Sequence, residues 1–498
     1  MIYTNEKSLI FGFLVDYHNI KGRRRKMVLK KDGSLRLLIV FFISVVVLFI
    51  CKSLNLEQFG PNTGLGLGYL IAVLVFIIFS GAPIVVAALL MGLGGAAVGI
   101  WSFGDLCSSI GSPGFVSTIG MLLVAMGCEA TPFGKRIAYI FLKLFGDDPF
   151  KIVCVFAVTT GLISAFVSNV ATLIMMSSIA AALLEAMGEK PGKSNLGRTI
   201  MVLIPVFSYL GGMALISGSP NGNNMALTYL ANATSEAYIP SYRQWAVMAF
   251  PSFPVISIPT ALIYIKCCHL KKTDITIIPK SYYEEKLAEL GKISSAEIRW
   301  IILVAGMVGF MIYGINMALV ALVCGVLAIF PFTGIMKAEN AFKKLPWDIT
   351  IAMCMLGMLG SIFTSTGLGN LIASVLNPLT GNMGPLALSI VSCLLTGLLV
   401  NIFINSNLAG AAITIGTFGP ICVSMGYNPA VIMAPTLFAT SFFFVLGMNG
   451  PLLLNKAYGY WDITDPTLPG TLTILFTSIV IPVLTYLLAL IAGIPIYL

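Results

Sequence analysis

Residues 163–176 read "ISAFVSNVATLIMM" and residues 402–415 read "IFINSNLAGAAITI". Both stretches are apolar enough to sit in a bilayer, yet each carries a Ser-Asn pair near its middle with no charge beside it. The pairs are Ser168-Asn169 and Ser406-Asn407, and Ser164 stands one turn before the first. Polar groups are costly in hydrocarbon unless something satisfies them. A single pair is explained by helix packing. Two pairs in corresponding halves of one chain point to a site.

The rest of the chain sets the surroundings of those pairs. Of 498 residues, 58% are hydrophobic and 10% charged, and the mean hydropathy is +0.96, far from a soluble profile. Apolar runs recur from Leu37 to Leu498, each long enough to cross a hydrocarbon layer of roughly 30 Å. Backbone polar groups cannot stay unpaired in lipid, so the runs are α-helical. The expectation is an all-α polytopic membrane protein with no sizeable soluble domain. The stretch before Leu37 is too long and too basic for a cleaved signal peptide, so the first span is expected to be retained.

Charge sets the orientation. The net charge is +9, and nine of the 29 Lys and Arg residues precede the first span, including "KGRRRK" at 21–26. In a membrane protein the positive-inside rule accounts for this better than a nucleic-acid partner does. Spans are expected near 37–51, 65–80, 83–100, 114–130, 199–230, 246–267, 300–315, 317–334, 349–365, 430–457 and 470–495. Two further stretches, 150–187 and 384–424, read as helix pairs. With this parity segments 131–151, 188–198, 266–299 and 335–346 fall inside, and only Lys52 and Arg243 fall outside. That gives eleven crossings, the N-terminus cytoplasmic and the C-terminus outside. A helix pair leaves the parity unchanged, so each pair either spans fully or re-enters as a hairpin.

Several landmarks have ordinary explanations. "GLGGAAVG" (92–99) suits close helix packing. The ten cysteines include no CxxC, which argues against disulfides and a metal site; Cys267, Cys268 and His269 at a helix end read first as packing. Asn232 opens an Asn-Ala-Thr glycosylation sequon on the expected outer side. The polar stretch 268–297 reads as a linker between halves.

An internal repeat supplies the architecture. "ATPFGKRIA" at 130–138 matches "STGLGNLIA" at 365–373, and "SNVA" at 168–171 matches "SNLA" at 406–409. Each Ser-Asn pair is followed by a break inside a long apolar segment, "SGSPNGNN" (217–224) and "LGMNGP" (446–451). An odd number of spans separates the copies, so the repeats are inverted, as in many secondary transporters. The expected organisation is a basic segment 1–36, a first repeat 37–267, a linker 268–297 and a second repeat 298–498. A helix broken at the midplane exposes N–H groups at one end, which attract anions, and carbonyls at the other, which attract cations. Ser168 and Ser406 are placed to cap the following helices, while Asn169 and Asn407 each offer an amide donor and acceptor. Four helix N-termini then converge on one anionic ligand without Lys or Arg. The alternative is that Ser and Asn only join helices and Gly and Pro only kink them.

The run from "GMLLVAMGCEATPFGKRIAY" to "GLISAFVSNVATLIMM", with the counterpart "LPWDITIAMCMLGMLGSIFTSTGLGNLIASVL", resembles the divalent anion:sodium symporter family of the wider ion-transporter superfamily. The likeness covers nearly the whole chain from about residue 65. It implies scaffold and transport domains, two re-entrant hairpins with Ser-Asn-Thr tips, and a homodimer with an elevator motion. The implied substrate is a dicarboxylate, citrate or sulfate, and the implied coupling ion is sodium.

Carried over residue by residue, the resemblance implies substrate contacts from Ser168, Asn169, Val170, Ser219, Pro220, Ser406, Asn407, Leu408, Asn449 and Gly450. It implies sodium ligation by Ser164, Ser168, Asn169, Gly218, Asn405 and Asn407. Two departures matter. The family's tip threonines are Val170 and Leu408 here, and Ile402 stands where a hydroxyl is expected before Ser406. "GMNG" also departs from the family's Gly-Thr-Pro-Pro, which leaves Asn401, Asn405 and Asn449 as substitutes. The function expected is therefore sodium-coupled symport of a di- or tricarboxylate or related small anion in the plasma membrane. The alternatives are a sodium-independent exchanger, a sodium/proton antiporter, a channel, or a membrane-embedded enzyme. An antiporter normally needs a midplane acid, whereas Glu129, Glu185 and Asp348 fall near span ends. An enzyme needs a nucleophile with a base, or a metal cluster, and the spans show neither.

Overall fold

The computed structural model describes residues 22–146, 148–271, 278–398, 407–439 and 450–498. Among them the regular structure is helical, with one isolated bridge between Tyr427 and Tyr497. The first half opens with α1 (Gly22–Lys52), α2 (Thr63–Phe79) and α3 (Ile84–Ala97). Next come α4 (Phe103–Ile110), α5 (Pro113–Glu129) and α6 (Phe133–Phe145). Helices α7 (Pro149–Ser164) and α8 (Asn169–Ala186) form a hairpin, and α9 (Asn195–Gly212) and α10 (Pro220–Ala233) form a broken helix. Then α11 (Tyr242–Ala249), α12 (Ser252–Cys267) and α13 (Lys280–Glu289) lead to the second half.

The second half repeats that order. Helices α14 (Ser295–Tyr313), α15 (Met317–Ile329), α16 (Ala338–Lys344), α17 (Trp347–Gly357), α18 (Leu359–Ser365) and α19 (Leu368–Thr380) precede the second hairpin. That hairpin is α20 (Pro385–Leu398) and α21 (Asn407–Ser424). Where the second broken helix is expected stand α22 (Pro429–Ile432), α23 (Ala434–Ala439) and α24 (Gly450–Lys456), followed by α25 (Thr467–Ile491). The segments expected to cross fall on helices as far as they are described; residues 440–449 of the segment 430–457 lie outside the described residues. Seven helical segments among the described residues, from Leu35–Lys52 to Thr467–Ile491, are long and apolar enough to span a bilayer, and six shorter apolar helices accompany them.

The two repeats hold each other. Helix α15 packs on α5 while its counterpart α3 packs on α17. The same position serves both crossings. Gly325 faces Gly120, where a Cβ on Gly325 would lie 2.8 Å from the Gly120 Cα; Gly92, 233 residues earlier, faces Met355, 2.7 Å from its sulfur. Small residues let backbones approach where lipid supplies no hydrophobic driving force. Around the breaks the exchange recurs, with α10 on α21 and α24 on α8. At the centre lies α9, buried at every residue from Thr199 to Ser208, as expected of a helix apolar on all sides.

The linker is more structured than its composition suggests. Helix α13 docks on α6 through Lys143–Glu284 at 2.9 Å and through buried Tyr283, whose hydroxyl burial and its neighbour Tyr282 push up to about 12. That phenol stays neutral, so the charge at this contact is carried by the ion pair. Arg136 of α6 donates to Gly291 O at 2.9 Å and pairs with buried Glu297 of α14 at 3.1 Å. Asn232 is also engaged: its amide nitrogen, the atom a glycan would need, donates to Gly357 O at 2.9 Å.

Candidate functional site

Two breaks meet in the first half. Helix α7 ends at Ser164 and α8 begins at Asn169, so the turn is Ala165–Ser168. Helix α9 ends at the Gly211-Gly212 pair, and α10 restarts at Pro220, whose missing N–H makes it a natural first residue. Two helix C-termini and two N-termini therefore share one small, largely buried volume.

Asn169 is the hub. One atom of its amide lies 2.9 Å from Ser164 Oγ, 3.1 Å from Ser208 O and 3.1 Å from Gly218 O; the other lies 3.2 Å from Ser219 Oγ. The Ser164 hydroxyl also donates to Ser208 O. With nitrogen turned towards the two carbonyls, every group is paired within the protein. With oxygen turned towards them, Asn169, Ser164, Ser208 and Gly218 present only oxygen atoms to one another. Only in that second orientation do these groups form a neutral oxygen set of the kind that ligates a hard cation. A second set of carbonyls adjoins it. A Cβ on Gly218 would lie 2.8–2.9 Å from the carbonyl oxygens of Gly212, Ala165 and Ser164, so glycine keeps this cradle open. Asn223 fixes the break by donating to Gly212 O at 2.9 Å and Leu215 O at 3.0 Å. No Lys or Arg is among these groups.

Ser164, Asn169, Gly218 and Ser219 thus come together. Ser168 occupies the N-cap position of α8 but makes no side-chain capping bond, contrary to expectation; its hydroxyl is half-buried at the tip. Val170 is 36% exposed there. Pro220 is buried, and its carbonyl accepts from Thr118 Oγ1 at 3.4 Å. A cleft of about 290 Å³ runs beside the tip, lined by Glu129, Thr131, Lys135, Val167 and Thr172. In the second half, Asn407 and Leu408 begin α21 and Gly450 begins α24, where restarts were expected. Asn401, Ile402, Asn405, Ser406 and Asn449 lie outside the described residues. Three further contributors stand outside the expected set: Ser208 and Gly212 through their carbonyls, and Asn223 through its side-chain amide. Their signals in the sequence are the Gly-Gly pair before the break and the asparagines within "SGSPNGNN".

A helical chain with paired hairpins and broken helices in two mutually packed repeats defines a membrane transporter, not an enzyme. The chain belongs to the citrate transporter family, whose family model matches residues 74–443. It is 22% identical over 361 residues to the "Sodium-dependent dicarboxylate transporter SdcS" of Staphylococcus aureus, a match covering 67% of this chain and 68% of that one. In fold it resembles the Alcanivorax borkumensis YdaH transporter, with TM-score 0.50, 14% identity and coverage of 81% of this chain and 88% of that one. It likewise resembles Neisseria gonorrhoeae MtrF, described among antimetabolite efflux pumps, with TM-score 0.52, 13% identity and coverage of 82% and 86%.

Proposed function

We propose that this protein couples sodium to the uptake of a di- or tricarboxylate, carrying both across the plasma membrane by an elevator motion of a transport domain against a scaffold within a homodimer. The observation that carries the sodium reading is the Asn169 amide, one atom of which faces three oxygens within 3.1 Å. Sodium dependence in the name of the Staphylococcus aureus relative supports it. Ser164, Asn169 and Gly218 hold the cation, joined by the tip hydroxyl of Ser168. The anion lies against Ser168, Val170 and Ser219 and the N-termini of α8 and α10. Asn407, Leu408 and Gly450, with Ser406, Asn405 and Asn449, complete the site from the second repeat. The repeats divide at 37–267 and 298–498, with the N-terminus cytoplasmic and the C-terminus outside.

Helix N-termini carry only about half a unit charge each, so a bound cation helps to balance a multiply charged ligand at a tip whose one neighbouring cation among the described residues lining the cleft is Lys135. One observation favours a second reading: Val170 and Leu408 replace hydroxyls at both tips, which suits a less highly charged anion moved by exchange. Uptake of labelled citrate and succinate into proteoliposomes, with and without an inward sodium gradient, tests the choice. Symport requires strong stimulation by sodium. Undiminished uptake without sodium, driven by substrate inside the vesicle, replaces it with exchange.

A further inference from the structure

A cavity of about 450 Å³ lies between the α4–α5 corner, α10 and the α17–α18 pair, apart from the tip and its oxygen cluster. Hydroxyls and amides line it, among them Ser109, Thr228, Asn232 and Ser361, and its charged lining residues are Asp105 and Glu236. No Lys, Arg or His is among its described lining residues. Both carboxylates belong to exposed residues. A concave surface of one sign focuses its field and concentrates counter-ions. A dicarboxylate is repelled here.

The cavity has a continuation. Asn221, Asn224, Thr228 and Asn232 recur at helical spacing along one face of α10, a polar stripe running back to the break. Thr228 and Asn232 line the cavity. One turn closer to the break, Asn224 is 2% exposed; its nitrogen donates to Thr118 Oγ1 at 2.9 Å, while its oxygen has no partner. The Asn221 oxygen, at the foot of the stripe, has none either. Buried acceptors without donors are rare and costly. Two in succession, one and two turns along α10 from the cavity-lining Thr228, suit a species that brings positive charge.

We propose that this cavity is a vestibule for a small monovalent cation, and that the amide stripe of α10 passes the cation to the cluster of Ser164, Asn169 and Gly218. The proposal rests on the reading of that cluster as a sodium site. It adds a route for the cation separate from the cleft beside the hairpin tip.

The test begins with thiol chemistry, which needs no transport. A single cysteine at Ser361, with all ten native cysteines replaced by serine, is treated with cationic and anionic methanethiosulfonates of similar size. Relative to a free thiol, the cationic reagent should be favoured by about fivefold at low salt, a preference that screening abolishes at high ionic strength. Asp105→Asn with Glu236→Gln should remove it, and Glu236→Gln alone, at an exposed position, should remove part. In uptake, the double variant should weaken apparent sodium affinity about threefold while leaving the KM for carboxylate unchanged or lower. Asn221→Ala should weaken sodium affinity without changing the reagent preference. Equal reactivity with both reagents while the carboxylates are intact overturns the proposal. So does a raised carboxylate KM with unchanged sodium affinity. Wild-type uptake indifferent to sodium removes the sodium reading instead, and the thiol result then judges the vestibule by itself.

Discussion

The Ser164 hydroxyl and the Asn169 amide lie 2.9 Å apart across the four-residue turn that ends α7 and begins α8. That contact ties the hairpin to the broken helix, because the same amide reaches Gly218 O on the far side of the second break. A change in either residue is therefore felt at both breaks. The turn is held by the same polar groups that are proposed to ligate the cation.

The Ser164→Ala variant separates these roles. Contacts to a charged partner are worth roughly 1.5–3 kcal/mol, so the apparent sodium affinity should fall about tenfold or more. The maximal rate at saturating sodium should fall less. Asn405→Ala, in the half that lacks a hydroxyl at Ile402, should weaken sodium dependence by less than Ser164→Ala does. Sodium titrations of initial uptake rate in both variants give the comparison, and the reverse order would move the principal cation site to the second repeat.

Gly212 offers a sharper steric test. A Cβ there would lie 2.1 Å from Asn169 Oδ1, a distance real atoms do not tolerate. Glycine to alanine within a helix usually gains about 0.5–1 kcal/mol, but here the methyl must expel the amide. Gly212→Ala should abolish sodium-dependent uptake while the protein still inserts. Gly309→Ala supplies the control, since nothing lies within 4 Å of its Cβ position; its uptake should match wild type and its melting temperature should hold or rise slightly. Normal uptake by Gly212→Ala would mean that Asn169 is helix packing and no more.

The sequence shows the breaks better than it shows the ligands. Proline at position 220, glycines at 211 and 212 and the paired Ser-Asn motifs are local signals, and the helices stop and restart where they stand. Carbonyl ligands carry no signal of their own, because every residue has one. Ser208 contributes through its backbone from the interior of an apolar helix, and only the arrival of Ser164 and Asn169 marks it out. Asn169, expected to offer its amide to a ligand, is 6% exposed and turned towards the second break. The linker misleads for a related reason. Its charges suggest a solvated tether, yet Lys143–Glu284 and Arg136–Glu297 use those charges to dock α13 and α14 on α6.

Cross-repeat packing can be measured at Asn455. Its nitrogen donates to Ser177 Oγ of α8 at 2.6 Å, and its oxygen accepts from Trp461 Nε1 at 3.2 Å. Asn455 and Ser177 are each 1% exposed. Asn455→Ala leaves the indole donor unsatisfied, which costs about 1–3 kcal/mol. In a double-mutant cycle with Ser177→Ala, a coupling near 1 kcal/mol is expected from neighbours sharing a bond. Thermal unfolding in detergent reads it, and strict additivity would deny that this bond joins α24 to the first hairpin.

Orientation can be tested at exposed loops. Single cysteines at Ser235 and Lys292, in a cysteine-free background, should meet an impermeant thiol reagent from opposite sides. The residue at 235 should react in intact cells and the one at 292 only after permeabilisation. Both positions are exposed, so access depends on the side alone. Reaction from the same side would undo the inversion of the repeats.

The last prediction concerns the tip residue Val170. At 36% exposure it tolerates a hydroxyl without a large burial cost, and threonine keeps its branched shape. A site built to hydrogen-bond a ligand discriminates strongly against ligands that cannot return the bond, whereas an apolar contact discriminates weakly. On the second reading, with Val170 and Leu408 at the tips, the anion is held mainly by helix N-termini of about half a charge each, which suit one carboxylate better than two. Val170→Thr together with Leu408→Thr should therefore shift the ratio of kcat/KM for succinate over a monocarboxylate of equal length upwards by about tenfold, a change of about 1.4 kcal/mol. Val170→Thr alone should supply part of that shift, and sodium affinity should not change, because Ser164, Asn169 and Gly218 are untouched. Competition between labelled succinate and unlabelled monocarboxylates in proteoliposomes measures the ratio. An unaltered ratio in the double variant would remove both tips from contact with the anion and leave its recognition to the half-helix ends.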